Sequence, residues 1–313
     1  MYPIHWGHSI GCALLAKVAT NFNPTDLMPE LPEVETVVRT LRPLLVGKVI
    51  GAVRLERPDM LQPIGTDLPG HLLNRIVTEI NRRGKRIVFT LDDANRFYIH
   101  LGMTGRLTFE QVSAPLLKHT HLILEIEEGR KPQVSLPVSI ATSSDRFQVR
   151  FRDPRRFGGI WWLGREIAPD QKMGPEPLSL RTPQFKMQLA RTGRSIKTAL
   201  LDQTLIAGLG NIYVDESLFA AGIHPLVAAN RLTDAQIATL NRAIKSILKK
   251  AIDHRGSTLR DYRDANGESG GFQLQHKVYD RAGKPCGVCR AEIQRIVLGG
   301  RSTHFCPNCQ LEA

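Results

Sequence analysis

Four cysteines near the end of the chain constrain its fold more than any other feature. They form two CxxC pairs: Cys286, Cys289, Cys306 and Cys309. Each CxxC turn presents two thiolates to one side, and a hairpin between the pairs brings all four around a tetrahedral zinc ion. A segment this short builds no core without metal, so the ion contributes folding free energy. Four thiolates leave no open coordination position, which predicts one structural Zn²⁺ and not a catalytic one.

The segment 276–313 is therefore predicted to be a zinc ribbon with strands at 292–298 and 303–306. Arg301 lies at the tip between these strands, where a guanidinium group can reach a phosphate. Disulfides are the alternative, but they are typical of secreted proteins. The apolar run near the start, from Ile10 to Ala19, lacks the basic segment that precedes it in a secretion signal.

The charge balance indicates a polyanionic partner. The 313 residues include 42 Lys and Arg against 30 Asp and Glu, which gives a net charge of +12. Such an excess favours nucleic acid or, less often, an acidic membrane surface. No apolar run reaches the roughly 18 residues of a membrane-spanning helix. The length suits two domains, each with its own core.

The first half of the chain combines one helix with many short strands. Apolar residues recur at steps of three and four from Pro32 onward, and Gly47 ends this helical pattern. Alternating, β-branched segments follow at 48–56, 75–80, 85–91, 96–101, 105–110, 121–127 and 147–151. The spacing predicts a β-sandwich or barrel-like domain. A stretch rich in Pro, Ser and Thr, 129–145, is predicted to be a loop.

The second half is predicted to be mostly helical. A Gly- and Pro-rich linker at 164–183 precedes helices at 184–191, 195–201, 212–221 and 233–254. Gly222 suits the C-terminal cap of the third of these helices. The polar, Gly-rich stretch 260–275 is predicted to be a mobile loop. The fold class is therefore α+β, with a strand-rich first domain, a helical second domain and a zinc ribbon.

Several motifs, in this order along the chain, resemble those of formamidopyrimidine-DNA glycosylases. They are Met28-Pro-Glu-Leu-Pro-Glu-Val-Glu35, His100-Leu-Gly-Met-Thr-Gly105, Asp153-Pro-Arg-Arg-Phe-Gly158 and Gly208-Leu-Gly-Asn-Ile-Tyr213, followed by the four cysteines. The resemblance covers about residues 28–310. It implies a catalytic β-rich domain at 28–163, a helix–two-turn–helix DNA-binding domain at 184–275 and the ribbon at 276–313.

The resemblance also implies a covalent mechanism. In this family the secondary amine of an N-terminal proline attacks the sugar C1′, expels a damaged base and then cleaves the strand by β,δ-elimination. An α-amino group titrates near 8, so a useful fraction is neutral at physiological pH. By resemblance Pro29 is the nucleophile and Glu30 handles protons. Lys85 would transfer protons and contact phosphate, and Arg301 would grip phosphate and act in the last elimination.

A base inside a duplex is reached only after it is flipped out, and the gap must then be filled. The matching positions for this task are Met103, Arg155 and Phe157, and Arg155 would also hydrogen-bond the widowed cytosine. His119 matches a DNA-contacting histidine. Asn211 would hold the backbone beside the lesion at a helix start, where it could also act as the N-cap.

Residues 1–27 do not fit the resemblance, because they would bury the nitrogen of Pro29 in an amide. We expect Met28 to be the true start and this extension to be absent from the active protein. The expected partner is double-stranded DNA with oxidised purines, bound by a monomer in the bacterial cytosol, with no membrane involved. Two alternatives stay open: an endonuclease VIII-like glycosylase for oxidised pyrimidines, and a catalytically silent DNA-binding protein.

Overall fold

A computed structural model describes residues 28–128, 146–168, 172–259 and 262–312. The predicted extension 1–27 and the predicted loop 129–145 lie outside the described residues. No helix in the described ranges is both long and apolar enough to cross a membrane.

The predicted first helix, α1, spans Leu31–Leu45. Its apolar stripe is fully buried, with Val34, Val37 and Leu41 at 0% exposure. Its start is closed by a capping box, because the Glu33 carboxylate accepts the backbone N–H of Glu30 at 2.9 Å. The helix ends just before Gly47, whose φ of +86° suits glycine.

The strand-rich half consists of two packed sheets. Its strands are β1 (Val49–Leu55), β2 (Leu61–Gln62), β3 (Val77–Arg83), β4 (Arg86–Leu91), β5 (Arg96–His100), β6 (Arg106–Gln111), β7 (Thr120–Glu127), β8 (Phe147–Arg152) and β9 (Gly159–Gly164). One sheet has the order β1-β7-β8-β6 and the other β2-β9-β5-β4-β3. All neighbours are antiparallel except β2 and β9. Side chains from both sheets and from α1 share one core, as the sandwich prediction requires.

The helical half has the four predicted helices and a second core. They are α3 (Thr182–Ala190), α4 (Ile196–Leu201), α5 (Asn211–Ala221) and α6 (Asp234–Asp253), while a short α2 (Leu68–Leu72) lies in the first half. Gly222 closes α5 in the left-handed conformation with φ +67°, as predicted. The second core is built mainly from α3 to α6, and Leu31 at the start of α1 also belongs to it.

The stretch 260–275 departs from the prediction of a mobile loop. Where the structure describes it, residues 262–275, it is packed: Tyr262 and Ala265 join the core of the strand-rich half, and Phe272 joins the helical core. Its glycine content suggested an unstructured segment, but three apolar side chains outweigh that signal. Residues 262–275 of the helical half therefore form a segment, called the strap below, that runs back across the first sheet.

The structure contains two elements that the sequence analysis did not predict. They are β9, which follows the motif at 153–158, and the short α2. The linker at 164–183 starts where β9 ends, and α3 begins at Thr182. The boundaries at 163, 183 and 275 stay predictions.

The ribbon strands are β10 (Gln294–Leu298) and β11 (Arg301–Phe305). Gly299 and Gly300 form the two-residue turn between them with φ values of +55° and +74°, which a type I′ turn requires. A buried ion pair links the ribbon to the helices. Lys197 in α4 donates to Asp215 in α5 at 2.6 Å, and the other oxygen of Asp215 accepts the backbone N–H of His304 at 2.9 Å.

Candidate active site

Glu30 is the centre of the candidate site and is almost completely buried, at 2% exposure. Its carboxylate accepts the backbone N–H of Ile212 at 2.8 Å and that of Tyr213 at 3.4 Å, both in the first turn of α5. Burial raises the pKa of Glu30 to about 7, although nearby Lys85 and the two N–H donors favour the charged form. The group can therefore both hold and release a proton near neutral pH.

Glycines at the start of α5 allow this approach. A Cβ on Gly210 would lie 2.3 Å from Cδ of Glu30, and one on Gly208 would lie 2.8 Å from the Leu31 side chain. Gly208 also accepts the backbone N–H of Leu31 at 3.0 Å and has a φ of +87°. The Gly-Leu-Gly motif is therefore explained by the close contact between α5 and the start of α1.

A second buried carboxylate, Glu33, holds the backbone at Glu30. One oxygen accepts the Glu30 N–H, and the other accepts the Tyr213 hydroxyl at 2.5 Å and the Ser257 N–H at 2.6 Å. Burial raises the pKa of Glu33 as well. Pro29 is buried and directly precedes Glu30, the N-cap of α1.

Lys85 lies in the tight turn between β3 and β4. Gly84, the first residue of this turn, has a φ of +56°. The turn is clamped by Glu176, whose carboxylate accepts the Gly84 N–H at 2.7 Å and pairs with Arg82 at 2.6 Å and Arg83 at 2.9 Å. Burial lowers the pKa of Lys85, while the opposite charge of Glu30 raises it. A rigid hairpin thus holds an amine of lowered pKa beside Glu30.

Arg301 and Asn211 complete the site from the ribbon and from α5. Arg301 is the first residue of β11, directly after the glycine turn, and its positive charge helps to lower the pKa of Lys85. Asn211 is the first helical residue of α5, so the N-cap is Gly210 and the alternative role of Asn211 as a cap is wrong. Its side-chain amide donates to Ser302 O at 2.8 Å, which joins α5 to the ribbon.

A cavity of about 230 Å³ unites these groups. Its lining is Met28, Glu30, Lys85, Arg86, His100, Met173, Leu201, Gln203, Gly210, Asn211 and Arg301. Four residues predicted from the sequence, namely Glu30, Lys85, Asn211 and Arg301, therefore meet in one place. Met28, whose carbonyl carbon is bonded to the nitrogen of Pro29, lies in the same wall.

Three of the predicted DNA contacts, Met103, Arg155 and Phe157, lie on two interlocked loops, 100–105 and 153–158. Asp153 is fully buried and accepts the Thr104 hydroxyl at 2.5 Å and the Gly158 N–H at 2.7 Å, which ties loop 100–105 to loop 153–158. A Cβ on Gly102 would lie 2.3 Å from the nitrogen of Gly158, so only glycine permits this packing.

The predicted contacts outside the cavity differ in exposure. Arg155, Phe157 and His119 are exposed, with Phe157 at 57%. His119 has a φ of +68°, and its carbonyl accepts the Asp153 N–H at 3.0 Å. Met103 is buried, at 6% exposure, so it could enter DNA only after a change in loop 100–105. The roles of these residues stay predictions.

The four cysteines meet as predicted and form no disulfide. Their sulfur atoms all lie within 4.8 Å of one another. The Cys286–Cys309 and Cys289–Cys306 separations are 3.9 Å and 3.4 Å, close to the roughly 3.8 Å between sulfurs of a tetrahedral Zn²⁺ site. The donor set and geometry fit one structural Zn²⁺ held by all four thiolates.

Comparisons with known proteins cover the same three parts of the chain. Residues 28–160 match the formamidopyrimidine-DNA glycosylase N-terminal domain, and 173–263 match the H2TH domain of that enzyme. Residues 283–311 match a zinc finger found in FPG and IleRS. Formamidopyrimidine-DNA glycosylase of Bacillus subtilis is 42% identical over 294 residues, which cover 90% of this chain and 99% of the relative. The chain belongs to the formamidopyrimidine-DNA glycosylase family.

Solved structures of this family are also similar. A Lactococcus lactis Fpg bound to DNA containing N7-benzyl-Fapy-dG has a TM-score of 0.80 at 37% identity and covers 91% of this chain and 100% of that one. The MutM (Fpg) protein of Thermus thermophilus has a TM-score of 0.76 at 38% identity, covering 90% and 98%. The fold prediction is confirmed.

The sequence did not single out several residues that the structure brings to the site. His100 lines the cavity; its Nδ1 accepts the Gly102 N–H at 3.1 Å, and burial lowers its pKa to about 4, so it is neutral at physiological pH. Arg86 also lines the cavity and stacks over Tyr98 at 4.5 Å. His100 begins a recognised motif and Arg86 directly follows Lys85, which was the available signal. Asp153 and Glu33 belong to recognised motifs too, but their contacts with Thr104, Tyr213 and Ser257 are tertiary and no local pattern reveals them.

Proposed function

We propose that this chain is a bifunctional glycosylase and AP lyase of base excision repair that removes 8-oxoguanine and formamidopyrimidine purines from duplex DNA. The observation that carries the proposal is the meeting of Glu30, Lys85 and Met28 in one cavity next to Pro29. Solved structures of relatives are complexes with DNA that contains an abasic site, Fapy-dG or carbocyclic 8-oxo-G.

In the proposed reaction the nitrogen of Pro29 attacks the sugar C1′ while the bond from C1′ to the base breaks. The electron pair of that bond leaves with the base, which takes up the proton that the Pro29 nitrogen loses. Glu30 then protonates the ring oxygen, the sugar opens, and an iminium forms between C1′ and Pro29. A carboxyl with a pKa of about 7 suits this step, because it is partly protonated at the pH where an α-amino group near 8 is partly neutral.

Strand cleavage follows from the iminium. It acidifies the C2′ proton, whose loss expels the 3′ phosphate, and a second proton loss expels the 5′ phosphate. Lys85 and Arg301, which line the cavity with Glu30, would balance the phosphate charge. Burial lowers the pKa of Lys85, and Lys85 would also take part in proton transfer.

The N-terminus is part of this proposal, because Pro29 must be a free amine. We propose that residues 1–27 and Met28 are absent from the active form. The match to the formamidopyrimidine-DNA glycosylase N-terminal domain supports this, since it begins at residue 28. Bacterial relatives also favour action in the cytoplasm, and we propose that the protein acts there as a monomer.

Borohydride trapping tests the proposal directly. Two proteins, the full 313-residue chain and a chain that starts at Met28, are incubated with a duplex carrying 8-oxoguanine opposite cytosine. We expect a covalent adduct whose modified peptide, identified by mass spectrometry, begins at Pro29. An adduct at another amine, or none from either protein, would overturn the proposed nucleophile. A matched duplex carrying thymine glycol separates the proposal from an endonuclease VIII-like preference for oxidised pyrimidines.

A further inference from the structure

A buried chain of hydrogen bonds connects Glu33 with His276, the residue directly after the strap. The Tyr213 hydroxyl donates to Glu33 Oε1 at 2.5 Å and lies 3.3 Å from Oγ of Ser257. The same Oγ lies 3.1 Å from Nε2 of His276. All four side chains are buried, and His276 is only 6% exposed. The carboxylate that holds the backbone of Glu30 is therefore linked to an imidazole in the helical half.

Each hydroxyl in this chain has a single proton, which fixes the direction of every bond. The proton of Tyr213 goes to Glu33, so the Tyr213 oxygen accepts the proton of Ser257. The Ser257 oxygen must then accept a proton from Nε2 of His276. Burial lowers the pKa of His276 to about 4, so its ring is neutral at physiological pH. A neutral imidazole has one N–H, and this bond assigns it to Nε2.

Packing on both sides holds the His276 ring in this orientation. Its edge contacts are with Phe272 in the strap and with Tyr279, and both ring centroids are 5.7 Å away. Residues 277–279 are fixed in turn by Glu216, whose carboxylate accepts their three backbone N–H groups at 2.9 Å each. The imidazole is therefore a rigidly placed donor.

The two buried glutamates have unequal sets of donors. Glu33 accepts three short bonds, from the N–H of Glu30 at 2.9 Å, the Tyr213 hydroxyl at 2.5 Å and the Ser257 N–H at 2.6 Å. Glu30 accepts one N–H of α5 at 2.8 Å and a second at the longer distance of 3.4 Å. When two carboxyl groups share a buried site, the one with the better donors keeps the charge and the pKa of the other rises. Burial raises the pKa of Glu30 to about 7, and the charge of Glu33 acts in the same direction.

Charged and titratable groups from other elements face both ends of the chain. Lys85 faces both carboxylates, and the Tyr262 hydroxyl donates to the backbone carbonyl of Glu33 at 3.2 Å. At the other end, Arg281 and His304 face the imidazole and favour its neutral form. These groups are unchanged in the variants below, so a difference in pH dependence reports on the chain itself.

We propose that His276 is a positioning residue that, through Ser257 and Tyr213, keeps the negative charge on Glu33 and the proton on Glu30. Its importance for catalysis rests on the proposed function. A donor at the far end of a hydrogen-bond chain polarises each bond and strengthens the last one, to the charged acceptor. Without the N–H of His276 the charge on Glu33 is less well stabilised, so Glu30 takes a larger share of it and the pKa of Glu30 falls.

The test is the pH dependence of single-turnover base excision from an 8-oxoguanine duplex, with the form of the chain that gives the borohydride adduct. The rate rises with pH as Pro29 loses its proton, and it levels off at the pKa of Glu30, where the proton donor is lost equally fast. We expect His276→Leu to move this break to lower pH by roughly half a unit and to reduce the maximal rate about threefold. His276→Gln should restore both, because its amide nitrogen takes the place of Nε2 as the donor to Ser257.

Two further variants separate the chain from changes in packing. Ser257→Ala breaks the chain in the middle but keeps the backbone N–H that Glu33 accepts, so it should move the break in the same direction even if His276→Leu does not fold. The matched control is His254→Leu. The His254 ring also contacts Phe272, at 6.2 Å, but its Nδ1 bonds to Lys250 O, outside the chain. We expect this variant to keep the wild-type break.

The outcomes decide between a positioning role and a structural one. An unmoved break in His276→Leu and Ser257→Ala, even with a rate lowered equally at every pH, would overturn the inference, as would an equal shift in His276→Gln or His254→Leu. Nitrogen NMR of the histidine-labelled full chain is independent of activity, and a proton on Nδ1 of His276 instead of Nε2 would also overturn it. If the wild-type chain cuts no lesion, the proposed function fails. Carbon NMR of labelled glutamate then decides the inference by whether His276→Leu lowers the pKa of Glu30.

Discussion

Substituting alanine for Gly210 should separate the placement of Glu30 from the overall fold. The added Cβ would lie 2.3 Å from Cδ, 2.6 Å from Cγ and 2.6 Å from Oε1 of Glu30. The backbone of Gly210 has a φ of −139°, which alanine adopts freely. The whole effect must therefore come from the contact with Glu30.

The expected cost follows from how firmly Glu30 is held. A normal carbon–carbon contact needs about 3.5 Å, so the carboxyl group must move by more than 1 Å. It cannot move that far and keep its bonds to the N–H groups of Ile212 and Tyr213. Overpacking of this kind costs about 1–3 kcal/mol, which lowers the melting temperature by roughly 2–4 °C per kcal/mol. Displacing a proton donor by about 1 Å should lower the rate of base excision about a hundredfold.

Thermal melts and single-turnover cleavage of an 8-oxoguanine duplex measure both effects. Gly193→Ala is the matched control, because its Cβ would meet only the side chain of Asn230, at 3.7 Å. In the double variant Gly210→Ala/Glu30→Ala the clash is gone, so we expect its melting temperature to exceed that of Gly210→Ala, with no recovery of activity. Wild-type rate and stability for Gly210→Ala would refute the assignment of Glu30 to this contact.

Three further outcomes follow from buried groups. Cys306→Ser should lose zinc, measured by metal analysis, and DNA affinity with it, because the ribbon carries Arg301; a metal-free protein that binds DNA normally would contradict the site. Lys197→Met should lower the free energy of unfolding by about 3–5 kcal/mol in denaturant titrations, since it leaves the buried Asp215 uncompensated. As a control, Lys186→Met breaks the exposed Lys186–Asp234 pair and should change the free energy of unfolding by less than about 1 kcal/mol. The pKa of Glu30 rises from 4.5 to about 7 on folding, so its stabilising contribution is complete below pH 4.5 and is lost as the pH rises through 7. Glu30→Gln should therefore flatten the pH dependence of stability between those values, and an unchanged curve would argue against the raised pKa.

The elements that local patterns dictate were predictable from the sequence. The apolar stripe of α1, the alternation in β1 and β4 to β8 and the CxxC spacing all act over short distances, and the structure agrees within a few residues. Recognised motifs also single out Glu30, Lys85, Asn211 and Arg301, which line one cavity in the structure. Local periodicity and motif order therefore carry most of the architecture.

What the sequence missed depends on contacts between distant segments. The strap at 262–275 has the composition of a loop, and only the cores it meets make it packed. Glu33 looks like an ordinary helix-start residue until Tyr213 and Ser257 approach it. The N-cap of α5 shifted to Gly210 because the first-turn N–H groups are satisfied by Glu30 instead of a local side chain. No window of neighbouring residues contains this information.

The pKa of Glu30 links catalysis to the assembly of both halves of the chain. The carboxylate belongs to the segment before α1, but its hydrogen-bond donors are the first N–H groups of α5, where the helix dipole favours negative charge. Burial by the same contact opposes that charge, and the balance leaves a pKa of about 7. Displacement of α5, for example by Lys197→Met, would remove both the N–H donors and the burial, and would return the pKa of Glu30 toward that of an exposed glutamate. The proposed proton donor therefore exists only while the two halves are packed together, and we expect activity to be lost before the chain unfolds.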